Sequence, residues 1–247
     1  MIRILATLSL LLSLVSAATT LGDANRAFAD GNFQAAAESY ESLIAEHGPD
    51  SSLYYNLGNA RQKLGQTGPA VLAYERALLL SPRDPDLIAN LALARKQAAI
   101  FEHPAIHPRI HTVTRKLSRN EWSWLLTGSA LVLGLLSLAH GTLPVRKPWM
   151  RPATIATTAV ALLFATLSTT ALYLRRDDGN RAVVIAPDAS IRLSPFDTAE
   201  SLGTPKPGSI VLLGEQNGGY RFVSATGSTL AGWIAGNQIE AIEASPR

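Results

Sequence analysis

Three histidines, His103, His107 and His111, recur every fourth residue in the run HPAIHPRIH. On a helix that spacing lines imidazoles along one face, where they could ligate a metal ion. Pro104 and Pro108 stand inside the run. Proline removes a helical hydrogen bond and drives the residue before it into an extended conformation. Residues 102–121 therefore read as an extended, semi-rigid linker, with a metal site as the alternative. The other two histidines, His47 and His140, lie far from that run. The chain contains no Cys, which excludes a disulfide, a thiol nucleophile and a cysteine metal site. No nucleophile and base stand in a motif that would join them. The expectation is a protein without catalysis or cofactor, which works by presenting surfaces.

Those surfaces must be carried by soluble parts, and the composition divides the chain sharply. Of 247 residues, 47% are hydrophobic and 17% charged. The apolar excess sits in three blocks, at residues 2–18, 122–140 and 153–174. What remains is two stretches, each too short to bury a large core. Net charge is +3, yet residues 20–101 hold seven basic and nine acidic side chains, and residues 181–247 hold five and six. The surplus positive charge flanks the apolar blocks, where it suits lipid headgroups. Nucleic acid would need a basic face on a folded domain, so no such partner is expected.

The first block, MIRILATLSLLLSLVSAA, places Arg3 before a Leu-rich run and ends on Ser16, Ala17 and Ala18. That is the order of a secretory signal peptide at residues 1–18, with cleavage after Ala17 or Ala18; an uncleaved anchor is the alternative. The spans predicted at 122–140 and 153–174 hold no ionised side chain inside them, and each nears the roughly 20 residues that cross a bilayer. A pair of buried core helices is the alternative. Trp122, Trp124, Trp149 and Tyr173 stand at their ends, where aromatic rings suit the headgroup layer. Thr and Ala crowd the second span, as for close helix packing. Export of the N-terminal part makes the loop 141–152 cytoplasmic and puts both soluble parts on the periplasmic side of a bacterial inner membrane. The loop holds Arg146, Lys147 and Arg151, whereas the outer flanks hold Arg115, Lys116, Arg119, Arg175 and Arg176. The basic count mildly opposes this orientation, and the signal peptide carries it.

Residues 19–101 contain a repeat. Gly31, Ala36 and Tyr40 recur 34 residues later as Gly65, Ala70 and Tyr74. The second unit adds Tyr54, Leu57, Gly58, Ala77 and Pro82, and a partial third begins at Pro85 with Ile88, Leu91 and Ala92 in register. This period and residue order resemble the tetratricopeptide repeat, a stack of helix hairpins. The resemblance implies that the first helix of each unit lines a groove for partner proteins. Its positions fall on Asn25, Tyr55, Asn56, Asn59, Gln62, Lys63 and Asn90. Simple solvation is the alternative for each of them. Some repeats of this kind clamp a peptide carboxylate with residues at Asn25 and Asn56. Here Leu21, Asp86 and Asn90 stand where the basic partners of that clamp would be, so an ordinary peptide or helix is expected.

Beyond Asp178 the pattern turns to short β-rich runs at 182–185, 190–193, 209–214, 220–225 and 231–235. Five short strands in residues 181–244 predict a small closed barrel. The sequence SIRLSP, PGSIVLLGE, GGYRFV, GWI and IEAI resembles the bacterial SH3-like domain, whose relatives bind peptidoglycan or short peptides. Tyr220 and Trp233 are the implied binding residues, with core packing the alternative. The full order of signal peptide, repeats, two spans and SH3-like domain resembles the BatE family of the bacterial aerotolerance operon. That resemblance implies a cell-envelope scaffold working beside von Willebrand factor A-type membrane proteins and a MoxR-type ATPase. The expected fold class is thus multidomain α and β: repeat hairpins, two transmembrane helices and a small SH3-like barrel. A peptidoglycan anchor acting through the barrel is the alternative function.

Overall fold

The structure is a computed structural model, and it describes residues 20–100, 113–114, 116–142, 150–226 and 228–243. The predicted signal peptide, the three linker histidines and Trp149 lie outside the described residues.

Five helices follow the repeat pattern: α1 Leu21–Ala29, α2 Phe33–His47, α3 Ser51–Lys63, α4 Thr67–Leu80 and α5 Pro85–Gln97. Side chains cap the starts of four of them, α4 being the exception. Asp50 Oδ1 accepts from the amides of Ser52 (2.8 Å) and Leu53 (3.1 Å), and Asp84 Oδ1 accepts from Asp86 and Leu87 with Pro85 at the first helical position. Each cap satisfies amides that the helix leaves unpaired. Gly31 (φ 80°) and Gly65 (φ 73°) make the turn inside each hairpin, a conformation that L side chains disfavour. Gly58 is needed for another reason: a Cβ there would lie 2.6 Å from the Tyr74 ring. The first interior cluster holds Ala36, Tyr40, Leu43, Leu53, Leu57 and Ala60. In α5 the buried face is Leu87, Leu91 and Ala94, whereas Ile88 and Ala92 are exposed. The 34-residue register holds, because α5 begins 34 residues after α3 and Leu91 is buried as Leu57 is. Among the described residues no second helix of a third unit covers Ile88 and Ala92, and α5 turns its buried stripe to α4.

Helices α6 Arg119–Thr142 and α7 Met150–Leu174 are long and apolar enough to cross a membrane, by length and composition. They pack on one another through small residues, with Ser129, Ala161, Ser168 and Ala171 buried. Thr154 and Thr158 lie half-buried on the same stripe, whereas Thr157, Thr166, Thr169 and Thr170 are exposed. Thr157 and Thr158 each return their hydroxyl to the carbonyl four residues back, at 2.9 and 2.8 Å. Most of the remaining surface of both helices is exposed and apolar. Trp122 is buried, and its Nε1 donates to the Thr114 carbonyl (2.8 Å), so it pins the end of the linker to α6.

Seven strands follow: β1 Arg181–Val184, β2 Ile191–Arg192, β3 Ser201–Gly203, β4 Ile210–Asn217, β5 Tyr220–Ala225, β6 Ala231–Ala235 and β7 Ile239–Ala241. They form one antiparallel sheet in the order β3-β2-β6-β5-β4-β1-β7. This corrects the closed barrel. The sheet is open, because β1 pairs outward with β7 and β2 outward with β3, so the two ends never meet in a ladder. One face buries Val184, Ile191, Val211, Val223, Ile234 and Ile239 as its own core. Gly232 admits the close approach of β2 to its partner β6, where a Cβ would meet the Arg192 carbonyl oxygen at 2.5 Å.

The other face does something the sequence did not suggest. Val183, Ile210 and Ile242 join Val71, Tyr74, Leu87 and Leu91 in a single cluster, so sheet and repeats share a core. Gly68 lets α4 touch the sheet backbone: a Cβ there would lie 2.6 Å from the Val184 carbonyl oxygen. Two short soluble stretches, each small for a core of its own, thus bury apolar surface jointly.

Candidate functional site

The groove is built from one side of α1, α3 and α5. Apolar residues hold these helices against α2 and α4, and polar residues occupy the side left over. Asn25, Phe28, Tyr40, Asn56 and Asn59 line one small cavity of about 180 Å³. The Tyr40 hydroxyl donates to Asn25 Oδ1 (2.7 Å). One repeat later, the Tyr74 hydroxyl lies 2.7 Å from Asn59 Oδ1 and 2.8 Å from Gln62 Oε1. A phenol has one hydrogen, so these two acceptors share it. Asn90 Nδ2 donates to the Tyr55 hydroxyl oxygen (2.9 Å) and to Asn59 Oδ1 (3.2 Å). Gln62 Nε2 donates to Gln97 Oε1 (2.9 Å), which ties α3 to α5.

Two buried tyrosines therefore orient the amides from beneath. Burial pushes the hydroxyl of Tyr40 upward in pKa, and burial followed by the neighbouring Tyr55 pushes Tyr74 upward. Both stay protonated donors at ordinary pH. With their oxygens held by tyrosine, Asn25 and Asn59 present amide hydrogens, and among the described residues Asn56 makes no side-chain hydrogen bond. A carboxamide has one acceptor and two donors, which match the carbonyl and N–H of an extended peptide. Of the seven predicted groove residues, six lie in this cavity or network. Lys63 does not: it is exposed in the last turn of α3.

Tyr220 and Trp233 are not brought to that groove. Alternation along β5 and β6 places Tyr220, Phe222 and Trp233 on the face away from the sheet's own core, which takes Val223 and Ile234. Phe222 and Trp233 are cross-strand partners whose rings meet edge-on, 5.5 Å apart. Tyr220 and Trp233 are both half-buried and lie outside the sheet's own buried cluster. The Tyr220 hydroxyl donates to Asp197, and that bond, then partial burial, raises its pKa. These rings continue the same face that packs on α4 at its other end, with Phe222 exposed and Tyr220 and Trp233 half-buried.

A polar junction beside the groove escaped the sequence. Glu75 of α4 is buried, accepts from Arg95 of α5, and lies 3.5 Å from Arg181 of β1. Next to it, Arg76 donates to Glu240 (2.8 Å) and to the carbonyls of Ala241 (2.8 Å) and Ile242 (3.2 Å). The available signal was a charged pair inside the apolar run VLAYERALLL, where the second hairpin helix should bury its whole face.

Residues 51–84 match the tetratricopeptide repeat family model. No curated protein and no solved structure matches the chain. The chain therefore contains a tetratricopeptide repeat, a module that typically binds proteins and is not catalytic. Among the described residues, no group of His, Asp and Glu is placed to hold a metal ion.

Proposed function

We propose that this protein is a membrane-anchored, BatE-like scaffold of the bacterial cell envelope, which binds partner proteins through its repeat groove. The observation that carries this reading is the set of carboxamides on α1, α3 and α5 backed by Tyr40 and Tyr74. Amides held in place spend little entropy on binding and read peptide backbone rather than one side chain. The two apolar helices support anchoring in the inner membrane, with repeats and sheet on the periplasmic side. The clients proposed are membrane proteins, including von Willebrand factor A-type neighbours. The test is crosslinking of membranes followed by co-purification. Asn25→Ala with Asn56→Ala should lower partner recovery at least tenfold, the loss of about 1.4 kcal/mol, while the chain stays in the membrane. Unchanged recovery refutes the groove.

A second reading has one observation in its favour. The row of half-buried Tyr220 and Trp233 with exposed Phe222 offers aromatic surface of the kind that stacks on sugars or peptides. The open sheet would then act as an SH3-like anchor on peptidoglycan. Retention of the full chain on purified sacculi, lost in Trp233→Ala, supports that reading; no retention removes it.

A further inference from the structure

A cavity of about 550 Å³ lies where the repeats meet the ends of the two apolar helices. One side is apolar: Leu78 and Leu79 at the end of α4, Pro82 after it, and Ile88 of α5, which is half exposed. The other side carries Arg95, Lys116, Arg175 and Arg181 with Glu75 and Asp178, while Arg83 at its edge is paired with Glu121 of α6. Glu75 accepts from Arg95 and lies 3.5 Å from Arg181, which brings the Arg181 guanidinium to the wall of the cavity. Arg175 is held by Asp178 (2.8 Å) and donates to the Leu117 carbonyl (2.7 Å), which fixes the start of α6 beside the end of α7. Lys116 is exposed at the mouth and has no ion pair among the described residues.

A second cavity, about 360 Å³, shares Leu78, Leu79, Pro82 and Arg175 with the first. It continues to Ser123 of α6 and Leu172 of α7. A chamber with one apolar and one basic side is thus joined to the surface of the helices read as membrane spans by a passage with Leu78, Leu79, Pro82 and Leu172 along one wall and polar residues along the other. We infer that the paired cavities bind one anionic phospholipid, its phosphate beside Lys116 and Arg181 and an acyl chain along Leu79 toward Leu172. The basic side selects an anion, and the apolar wall from Ile88 through Leu78 and Leu79 to Leu172 selects one that carries a chain. The inference rests on the proposed membrane anchoring. It adds that lipid is a structural ligand which seats the soluble unit on the bilayer.

The test uses the full chain, released from vesicles of phosphatidylcholine with phosphatidylglycerol, and reads the lipid retained by native mass spectrometry. The wild type should keep one phosphatidylglycerol in preference to phosphatidylcholine. Lys116→Glu should lower that preference roughly fivefold, and Ile88→Asp should lower total lipid retained. Arg26→Glu, the same charge change on exposed α1, should do neither. Equal retention of the two lipids, or a Lys116→Glu variant that matches wild type, overturns the inference. So does displacement of the lipid by millimolar inorganic phosphate, which would show a simple anion site. A chain that never enters the vesicles contradicts the anchoring itself, a distinct outcome.

Discussion

Tyr74 and Glu75 are adjacent in α4 and face opposite tasks. Tyr74 holds Asn59 and Gln62 of the groove, and Glu75 holds Arg95 and Arg181 of the junction. Tyr74→Phe should cost about 1 kcal/mol, the net value of a buried hydrogen bond, measured by thermal unfolding in detergent. It should also weaken partner binding, because Asn59 is no longer oriented. The folded state holds the Tyr74 proton more tightly than the unfolded chain does. The stability this gives is complete below the unfolded pKa of about 10 and falls as pH rises above it. Tyr74→Phe should therefore flatten the alkaline loss. Glu75→Gln leaves two guanidinium groups facing each other in a buried place and should cost about 3 kcal/mol or more. An unchanged midpoint would show that the junction is not formed.

At the scale of elements, the best-read parts were those whose pattern is local. Period 34, the capping aspartates and the turn glycines all act within one hairpin, and α1 to α5 appear where these signals put them. The two apolar helices were legible for the same reason. The sheet was only partly so. Five runs became strands, but β3 and β7 span three residues each, too short for alternation to register. Closure into a barrel depends on which edges pair, and no local feature of β1 or β2 reveals that they pair outward. The junction was illegible because it lies between segments more than a hundred residues apart. Gly68 could have been taken for a helix weakness, yet it is where two elements touch. Gly68→Val should force sheet from helix and destabilise the joint core by about 1–3 kcal/mol. The midpoint for unfolding of repeats and sheet should fall together, because they share one cluster. Separate transitions in hydrogen exchange would contradict a shared core.

At the scale of the molecule, the two soluble stretches form one unit, and both chain connections into that unit pass through the paired helices. Arg83 of the repeats bonds to Glu121 at the start of α6 (3.1 Å), and Arg119 lies 3.7 Å from Glu243 beyond β7. Repeats, sheet and helix ends are therefore tied at one place, which requires repeats and sheet to occupy the same side of any bilayer that α6 and α7 cross. The absence of Cys makes the measurement clean. Lys63→Cys in the repeats and Glu215→Cys in the sheet should each react with a membrane-impermeant maleimide in intact spheroplasts, with the chain recovered in the membrane pellet. Labelling of either site only after lysis, or recovery of the chain in the soluble fraction, would contradict the scaffold described above.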